Sequence, residues 1–359
     1  MNFKKILALI FAGLSFVYLL KVFTLGHYQD FNSYYNNYIF PFSNSNPYKF
    51  SDSVIYPPFF FLFFYPFKII PLIYSQFIWL TISVASLIFS IFIIFKAYGK
   101  SLNSALGYLV LGLSFNYFPV KFTLGMGQVN LIILLFLSLF FYFLKKEETV
   151  LSSLFLGLSL NIKVFPILMF FFLILKKRMK MLVYVLLISA ALTILGFLFY
   201  EKQALYYFLN FGGSNLTSWK LDYYNQSLSG VIGRSFSDPK LREYLRLIIS
   251  LFLVALTLTA SIVKRPKRND LLIGILITVN LLLNSFSWQH HFVWLILPLI
   301  ITLFYLLKKP KLMVILIISF LLTGINLKQP LLFPIPMQSH VFFGALLLLF
   351  LDYYLYVRD

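Results

Sequence analysis

The run LIYSQFIWLTISVASLIFSIFIIF, residues 72–95, contains no charged side chain. A helix needs about 20 mainly apolar residues to cross a hydrocarbon core about 30 Å thick, so this run predicts a membrane-spanning helix. The whole chain of 359 residues is 60% apolar and only 11% charged, whereas soluble proteins carry about 25% charged residues. We therefore predict an all-α, polytopic integral membrane protein.

Basic residues punctuate these apolar runs in short clusters. The formal net charge is +19, but the charge is spread along the chain and forms no soluble basic module, which argues against nucleic-acid binding. Clusters of this kind mark cytoplasmic loops, because basic residues resist translocation. The clusters are Lys4-Lys5, Lys96 with Lys100, Lys145-Lys146, Lys176-Lys177-Arg178 with Lys180, Lys264-Arg265 with Lys267-Arg268, and Lys308-Lys309 with Lys311.

The number of spans follows from the spacing of these clusters. If every cluster faces the cytoplasm, each intervening segment crosses the membrane an even number of times. We expect about twelve helices in one membrane domain, residues 1–359, with both termini cytoplasmic and the protein in the cell membrane. The predicted spans are 6–26, 72–95, 102–120, 129–144, 150–162, 165–175, 181–199, 244–263, 271–286, 292–307, 312–325 and 341–356.

Two long connections lie on the opposite, external side, at residues 27–71 and 200–243. Asp30 lies in the first of them, among aromatic residues. A carboxylate at a membrane boundary loses hydration and can accept a proton near neutral pH. The alternative is that Asp30 caps a helix that begins at Phe31. Further along this loop, the aromatic run Tyr56 to Phe67 predicts either an interfacial anchor or a wall for a lipid substrate.

Lys163 lies between two short apolar runs, far from the basic clusters on either side. A cation at the external end of a span is costly unless it meets an anion, so Lys163 is a candidate contact for a phosphate. The alternative is that it extends to the outer lipid headgroups.

Other polar residues at external ends of spans are candidates for binding hydroxyl groups or phosphate. Gln128 and Asn130 open one span, and Asn225 and Gln226 lie in the second long loop. The alternatives for these amides are helix capping and an ordinary polar loop. His290 and His291 are adjacent, which does not fit the i, i+4 spacing of a helical zinc pair. With no cysteine in the chain, we expect no metal site and no cofactor.

The order of these motifs resembles glycosyltransferase family 87, within the C-type glycosyltransferase superfamily. The resemblance covers about Asp30 to Leu299. Its parts are an Asp in the first loop, N-P-Y at 46–48, Y-P-P-F at 56–59, G-Q-V-N at 127–130, I-K-V-F-P at 162–166, N-Q-S-L-S-G at 225–230 and S-W-Q-H-H at 287–291.

The resemblance implies a membrane enzyme that takes a sugar, with mannose as the first candidate, from a polyprenyl-phosphate donor on the external side. The acceptor would be a glycolipid or polysaccharide, reached among membrane lipids. Asp30 then matches the catalytic base, and inversion without a metal is expected. Lys163, His290 and His291 would contact the donor phosphate. The sugar or acceptor would be bound by Tyr34, Tyr56, Gln128, Asn130, Asn225 and Gln226.

A transporter or flippase of a lipid-linked or anionic substrate is the alternative from another class. It would use Asp30, Lys163 and the histidines as intramembrane charges. Such charges are expected near the midplane, whereas these residues lie at the external ends of spans and in external loops. Placement therefore favours the transferase.

Overall fold

The computed structural model describes residues 2–36, 56–200, 221–263 and 268–358. Helices account for all the regular elements of this part of the chain, with one isolated β-bridge between Asn225 and Trp288. The first two described stretches contain α1 Phe3–Leu19, α2 Val22–Leu25, α3 Gln29–Asn36, α4 Pro58–Lys68, α5 Leu72–Ala97, α6 Ala105–Asn116, α7 Phe118–Met126, α8 Asn130–Lys145, α9 Thr149–Ile162, α10 Met169–Leu175 and α11 Met179–Leu198.

The last two stretches contain a further set of helices. They are α12 Leu228–Ser235, α13 Pro239–Val263, α14 Asn269–Leu283, α15 Ile296–Leu306, α16 Pro310–Gly324, α17 Ile335–Gln338 and α18 His340–Arg358. Short 3₁₀ turns lie at Phe165–Leu168, Gln289–Leu295 and Pro330–Leu332.

Six helical segments of the described residues are long and apolar enough to cross a membrane. The multi-pass membrane protein that the composition predicts is confirmed at this level. Six shorter apolar helices lie where the other spans are expected. Because all six are shorter than the roughly 20 residues needed to cross a bilayer, the count of twelve spans stays a prediction. The long segments are Phe3–Leu25, Leu72–Ala97, Met179–Leu198, Pro239–Ile262, Gln289–Leu306 and His340–Arg358.

Helix α5 has one face that packs against protein and another whose apolar side chains are exposed. Ser83 and Ser90 are buried on one side, where small side chains allow helices to approach closely. Phe77 is 61% exposed and Phe89 57% exposed. Large apolar side chains at such positions are typical of contact with lipid, because a soluble surface would leave them in water.

The predicted span 102–120 is interrupted. Helix α6 ends at Asn116, and α7 begins at Phe118. Pro119 follows immediately; its nitrogen has no hydrogen to donate to a carbonyl one turn earlier, so a continuous helix is broken here.

The chain forms two compact units. Unit 1 comprises the described residues of Met1–Phe115, Lys121–Ile167 and Arg178–Leu216. Within it, α5 packs on α8, α8 on α9, and α9 on α11, while α4 contacts α3, α5, α9 and α11. Helix α4 therefore links the short helix α3 to the longer helices of this unit.

Unit 2 comprises the described residues of Asn116–Val120, Leu168–Lys177 and Thr217–Asp359. Its central helix is α14, in which every residue from Leu271 to Leu282 is buried. Helix α14 contacts α10, α13, α15 and α18, and α16 packs on α18.

Candidate functional site

Asp30 lies in the first turn of α3. The chain enters this helix through Tyr28, whose φ of 49° turns the backbone sharply. The Tyr28 N–H donates to the Gly125 carbonyl oxygen at 2.8 Å, and the Tyr28 carbonyl oxygen accepts from the N–H of Asn32 at 2.7 Å. Helix α3 begins at Gln29, so Asp30 lies inside the helix and does not cap one that begins at Phe31.

Aromatic packing fixes α3 in unit 1. The Phe31 ring meets the ring of Phe64 with centroids 5.4 Å apart and that of Trp79 at 5.9 Å. The Tyr34 ring packs edge-on against Phe60, with centroids 5.0 Å apart. Edge-to-face pairs of this kind are favourable beyond the apolar area that they bury. The aromatic run after Tyr56 therefore serves as a rigid support for the helix that carries Asp30.

Gly127 brings the G-Q-V-N motif against α3. Its φ is 70°, and a Cβ atom there would lie 2.5 Å from the Cβ of Phe31. Its carbonyl oxygen accepts a hydrogen bond from Trp79 Nε1 at 2.8 Å. A residue with a side chain would meet both backbone strain and a clash at this position, so glycine is required for Gln128 to reach the site.

The Gln128 amide is oriented by two tyrosines. Its Oε1 lies 2.8 Å from the Tyr34 hydroxyl and 3.0 Å from the Tyr56 hydroxyl, which are themselves 2.6 Å apart. The Gln128 side chain also hydrogen-bonds to Asp30. Because Oε1 accepts from the hydroxyl groups, the amide N–H faces the carboxylate. Gln128 therefore holds the Asp30 side chain in place.

The environment of the Asp30 carboxyl group is that of a candidate base. Burial raises its pKa above the ordinary value, while the hydrogen bond from Gln128 and the charge of Lys163 lower it. Its Oδ2 atom is buried and has no hydrogen-bond partner within the described stretches of the chain. An anionic oxygen of this kind can accept a proton from a substrate hydroxyl group.

Lys163 supplies the positive charge of this group. It follows α9, in extended backbone before the 3₁₀ turn at Phe165. Its Nζ donates to Asn130 Oδ1 at 3.2 Å and lies 5.5 Å from the centre of the Tyr56 ring. Burial lowers the pKa of Lys163 to about 7, and the negative charge of Asp30 acts against this shift.

Six of the sequence-predicted residues thus meet within unit 1. We call them the Asp30 cluster: Asp30, Tyr34, Tyr56, Gln128, Asn130 and Lys163. They come from the first loop, the start of α8 and the end of α9.

The other four predicted residues lie in unit 2, around the bridge between Asn225 and Trp288. We call Asn225, Gln226, Trp288, His290 and His291 the Trp288 turn. The backbone N–H of Gln226 donates to the carbonyl oxygen of Ser287 at 2.8 Å. Both amide side chains are fully buried.

These two amides hydrogen-bond to backbone. Asn225 Nδ2 donates to the Ser285 carbonyl oxygen at 3.0 Å, and its Oδ1 accepts from the N–H of Ser227. Gln226 Nε2 donates to the carbonyl oxygens of Tyr223 at 2.6 Å and Gln338 at 2.8 Å. The geometry therefore gives both amides a part in holding this turn together.

The two histidines lie in the 3₁₀ turn Gln289–Leu295, with ring centres 4.4 Å apart. The backbone N–H of Trp288 donates to His291 Nδ1 at 3.1 Å. Neutral His291 consequently carries its proton on Nε2, which is the nitrogen able to donate to another group.

The sequence reasoning did not single out the polar face of α3. Gln29, Asn32, Ser33 and Asn36, with His27, line a cavity of about 560 Å³. The spacing i, i+3, i+4, i+7 places the four helical residues on one face, and this signal was present in the sequence. Arg234, which the sequence placed in the second polar loop, donates through Nη1 to the carbonyl oxygens of Asp222 and Asn225. Asn46-Pro47-Tyr48 and residues 201–220 of the second predicted loop lie outside the described residues.

Comparison with known families places this geometry in context. Residues 55–298 match glycosyltransferase family 87, and the chain belongs to this family. The chain is therefore a multi-pass membrane protein of this family, as the resemblance predicts. Asp30 and Tyr34 precede the matched residues, so their proposed roles depend on the contacts described above.

One curated relative of the chain is named as a mannosyltransferase. Over 253 residues, the chain is 24% identical to a polyprenol-phosphate-mannose-dependent alpha-(1-2)-phosphatidylinositol pentamannoside mannosyltransferase of Mycobacterium tuberculosis (strain CDC 1551 / Oshkosh). The similar stretch covers 69% of this chain and 57% of the relative. No solved structure matches the chain.

Proposed function

We propose that this protein transfers mannose from a polyprenyl-phosphate donor to a glycolipid or polysaccharide acceptor on the external side of the cell membrane. The observation that carries the proposal is the Asp30 cluster, in which a buried carboxylate oxygen and the Lys163 ammonium group share one site. Family membership supports sugar transfer, and the name of the relative supports the lipid-phosphate donor.

The reaction begins at the acceptor. Asp30 Oδ2 accepts the proton of an acceptor hydroxyl group as the oxygen of that group forms a bond to the anomeric carbon of mannose. The bond between this carbon and the lipid-phosphate oxygen breaks, and the electron pair leaves with the phosphate. Direct attack opposite the leaving group inverts the anomeric configuration.

Lys163 stabilises the departing phosphate. Negative charge grows on the leaving oxygen, and a cation already fixed by Asn130 needs little reorganisation to meet it. The phosphate contact of His290 and His291 stays a prediction from the sequence. No metal ion is required in this scheme.

The contacts of the other predicted residues separate those proposed to bind sugar from those proposed to hold other groups in place. Asn130 is proposed to bind sugar hydroxyl groups while it holds Lys163, and Tyr34, Tyr56 and Gln128 position Asp30. For Asn225 and Gln226 the hydrogen bonds to backbone favour support of the Trp288 turn over direct sugar binding.

The proposed topology follows the basic clusters. Lys145 ends α8, and Lys163 follows α9, so the two lie at opposite ends of adjacent helices. If the first faces the cytoplasm, Lys163 faces outward, with both chain termini cytoplasmic.

A transporter remains the rival function, and Asp352 bears on it. This fully buried carboxyl group in α18 accepts a hydrogen bond through Oδ1 from the Thr302 hydroxyl group at 2.5 Å. It lies three residues from the middle of the helix His340–Arg358, about 4.5 Å along the axis. A carboxyl group at this depth is what a transporter would use as a coupling charge, so mannosyl transfer and transport must be measured side by side.

The experiment that tests the proposal uses the purified full-length protein. We expect it to transfer radiolabelled mannose from short-chain polyprenyl-phosphate mannose to octyl mannoside in detergent. Transport of the same lipid-linked sugar is measured in liposomes alongside. Transport without mannosyl transfer would contradict the proposal and support the rival.

A further inference from the structure

Helix α3 has two faces of opposite character. Phe31 and Tyr34 are buried against aromatic rings, whereas Gln29, Asn32, Ser33 and Asn36 face the cavity of about 560 Å³. In a chain with 60% apolar residues, a helix face made only of amide and hydroxyl side chains is unusual. The apolar packing of α3 is provided by the opposite face.

The lining of this cavity indicates the chemistry of its ligand. Two amides, Gln29 and Asn36, are exposed to it, together with the His27 side chain. Neither a carboxylate nor a lysine or arginine lines the cavity within the described residues. Uncharged groups that both donate and accept hydrogen bonds suit a neutral ligand with many hydroxyl groups. The volume lies in the range typical of small-molecule sites.

Part of the cavity wall is held in position. Asn32 Oδ1 accepts a hydrogen bond from Gln76 Nε2 of α5 at 2.7 Å, and Asn32 Nδ2 donates to the His27 carbonyl oxygen at 3.4 Å. Aromatic packing fixes the other side of the same helix. The exposed amides are thus carried by a rigid element, which favours specific binding.

We propose that this face of α3 is the subsite for the acceptor sugar. The inference rests on the proposed function and names the acceptor side of that site. Asp30 follows Gln29 directly in the chain and must meet the acceptor hydroxyl group. Neither Asp30 nor Lys163 lines the cavity; Asp30 lies on the same helix as the polar face, whereas Lys163 follows α9 and interacts with Asn130 and Tyr56. Acceptor and leaving phosphate therefore have separate binding groups.

Kinetics with octyl mannoside as acceptor and short-chain polyprenyl-phosphate mannose as donor test this assignment. Gln29→Ala and Asn36→Ala each remove one exposed amide that no packing contact requires. We expect each to raise the KM for octyl mannoside about fivefold, as for loss of one hydrogen bond, and their combination to raise it further. The kcat and the KM for the donor should not change, because binding groups away from the reacting atoms act on KM.

The matched control is Gln329→Ala, which removes an exposed amide of unit 2 that does not line this cavity. It should leave both KM values unchanged. An unchanged KM for octyl mannoside in the double variant would overturn the subsite, and so would a rise confined to the donor KM, which would assign the cavity to the donor sugar. Failure of the proposed function is recognised separately, as absence of transfer by the unsubstituted protein.

Discussion

The Asp30 cluster and the Trp288 turn contain similar residue types, yet their hydrogen bonds differ. In the Asp30 cluster, side chains bond to side chains: two tyrosines fix Gln128, which in turn contacts a carboxylate. In the Trp288 turn, the amides of Asn225 and Gln226 bond to backbone groups. An amide that orients a charge affects chemistry, while an amide that satisfies backbone affects folding. Substitutions in the two groups should consequently be read out by different measurements.

The largest effect is expected from Asp30→Asn. The amide cannot accept the proton of the acceptor hydroxyl group, so we expect kcat to fall about a thousandfold, as for loss of a general base. The fall in kcat is measured as the rate at which purified protein transfers radiolabelled mannose. The matched control is Asp222→Asn in unit 2, since Asp222 Oδ1 accepts from the N–H of Tyr224 and asparagine can keep that bond. Equal rates for the two variants would remove Asp30 from the mechanism.

Lys163→Gln should have the next largest effect. It removes the cation that stabilises the leaving phosphate, and we expect kcat to fall about a hundredfold. The comparison is Arg234→Gln, which removes a cation that donates to backbone in unit 2. That variant should lower the thermal unfolding temperature. If Lys163→Gln instead lowered the unfolding temperature and left kcat unchanged, Lys163 would be a structural residue.

Gln226→Leu tests the structural role of the Trp288 turn. The substitution leaves the backbone groups of Tyr223 and Gln338 without their buried partner, which costs about 1–3 kcal/mol. We expect a lower unfolding temperature in detergent, measured by intrinsic fluorescence. The KM values of the protein that remains folded should not change. A raised KM at unchanged unfolding temperature would restore Gln226 as a sugar-binding residue.

The smallest effect is expected from the residues that position Asp30. Gln128→Leu removes a hydrogen bond that lowers the pKa of Asp30, so this pKa rises. Because the base acts in its deprotonated form, the acid limb of the kcat/KM profile should move to higher pH. The double variant Tyr34→Phe with Tyr56→Phe frees the Gln128 amide and should move the limb the same way, but less. An unmoved acid limb in Gln128→Leu would show that this contact is not maintained during turnover.

Much of the fold could be predicted from the sequence, because a span is a local property. Residues 72–95 contain no charge, and the helix there runs from Leu72 to Ala97. The break at Asn116 was missed because apolar composition alone does not show it, although Pro119 was a local signal. Bilayer thickness sets a minimum length, not the exact ends of each helix.

The candidate site could be predicted only in part. Lys163 was identifiable because a cation is costly at its position, and Asp30 by its aromatic neighbours. The contact of Gln128 with Tyr34 joins residues 94 positions apart, and no local pattern encodes such a pair. The same limit explains Gln226, whose hydrogen bond to Gln338 depends on packing within unit 2.

The pH dependence of kcat/KM in the unsubstituted protein and in Lys163→Arg tests most directly whether the Asp30 carboxylate and the Lys163 ammonium group act together. Asp30 must be deprotonated and Lys163 protonated, so the profile should be bell-shaped, with the rate falling above the Lys163 pKa of about 7. Arginine keeps its charge at all these pH values. We predict that Lys163→Arg retains activity and loses the alkaline limb; an identical alkaline limb in both proteins would contradict the account.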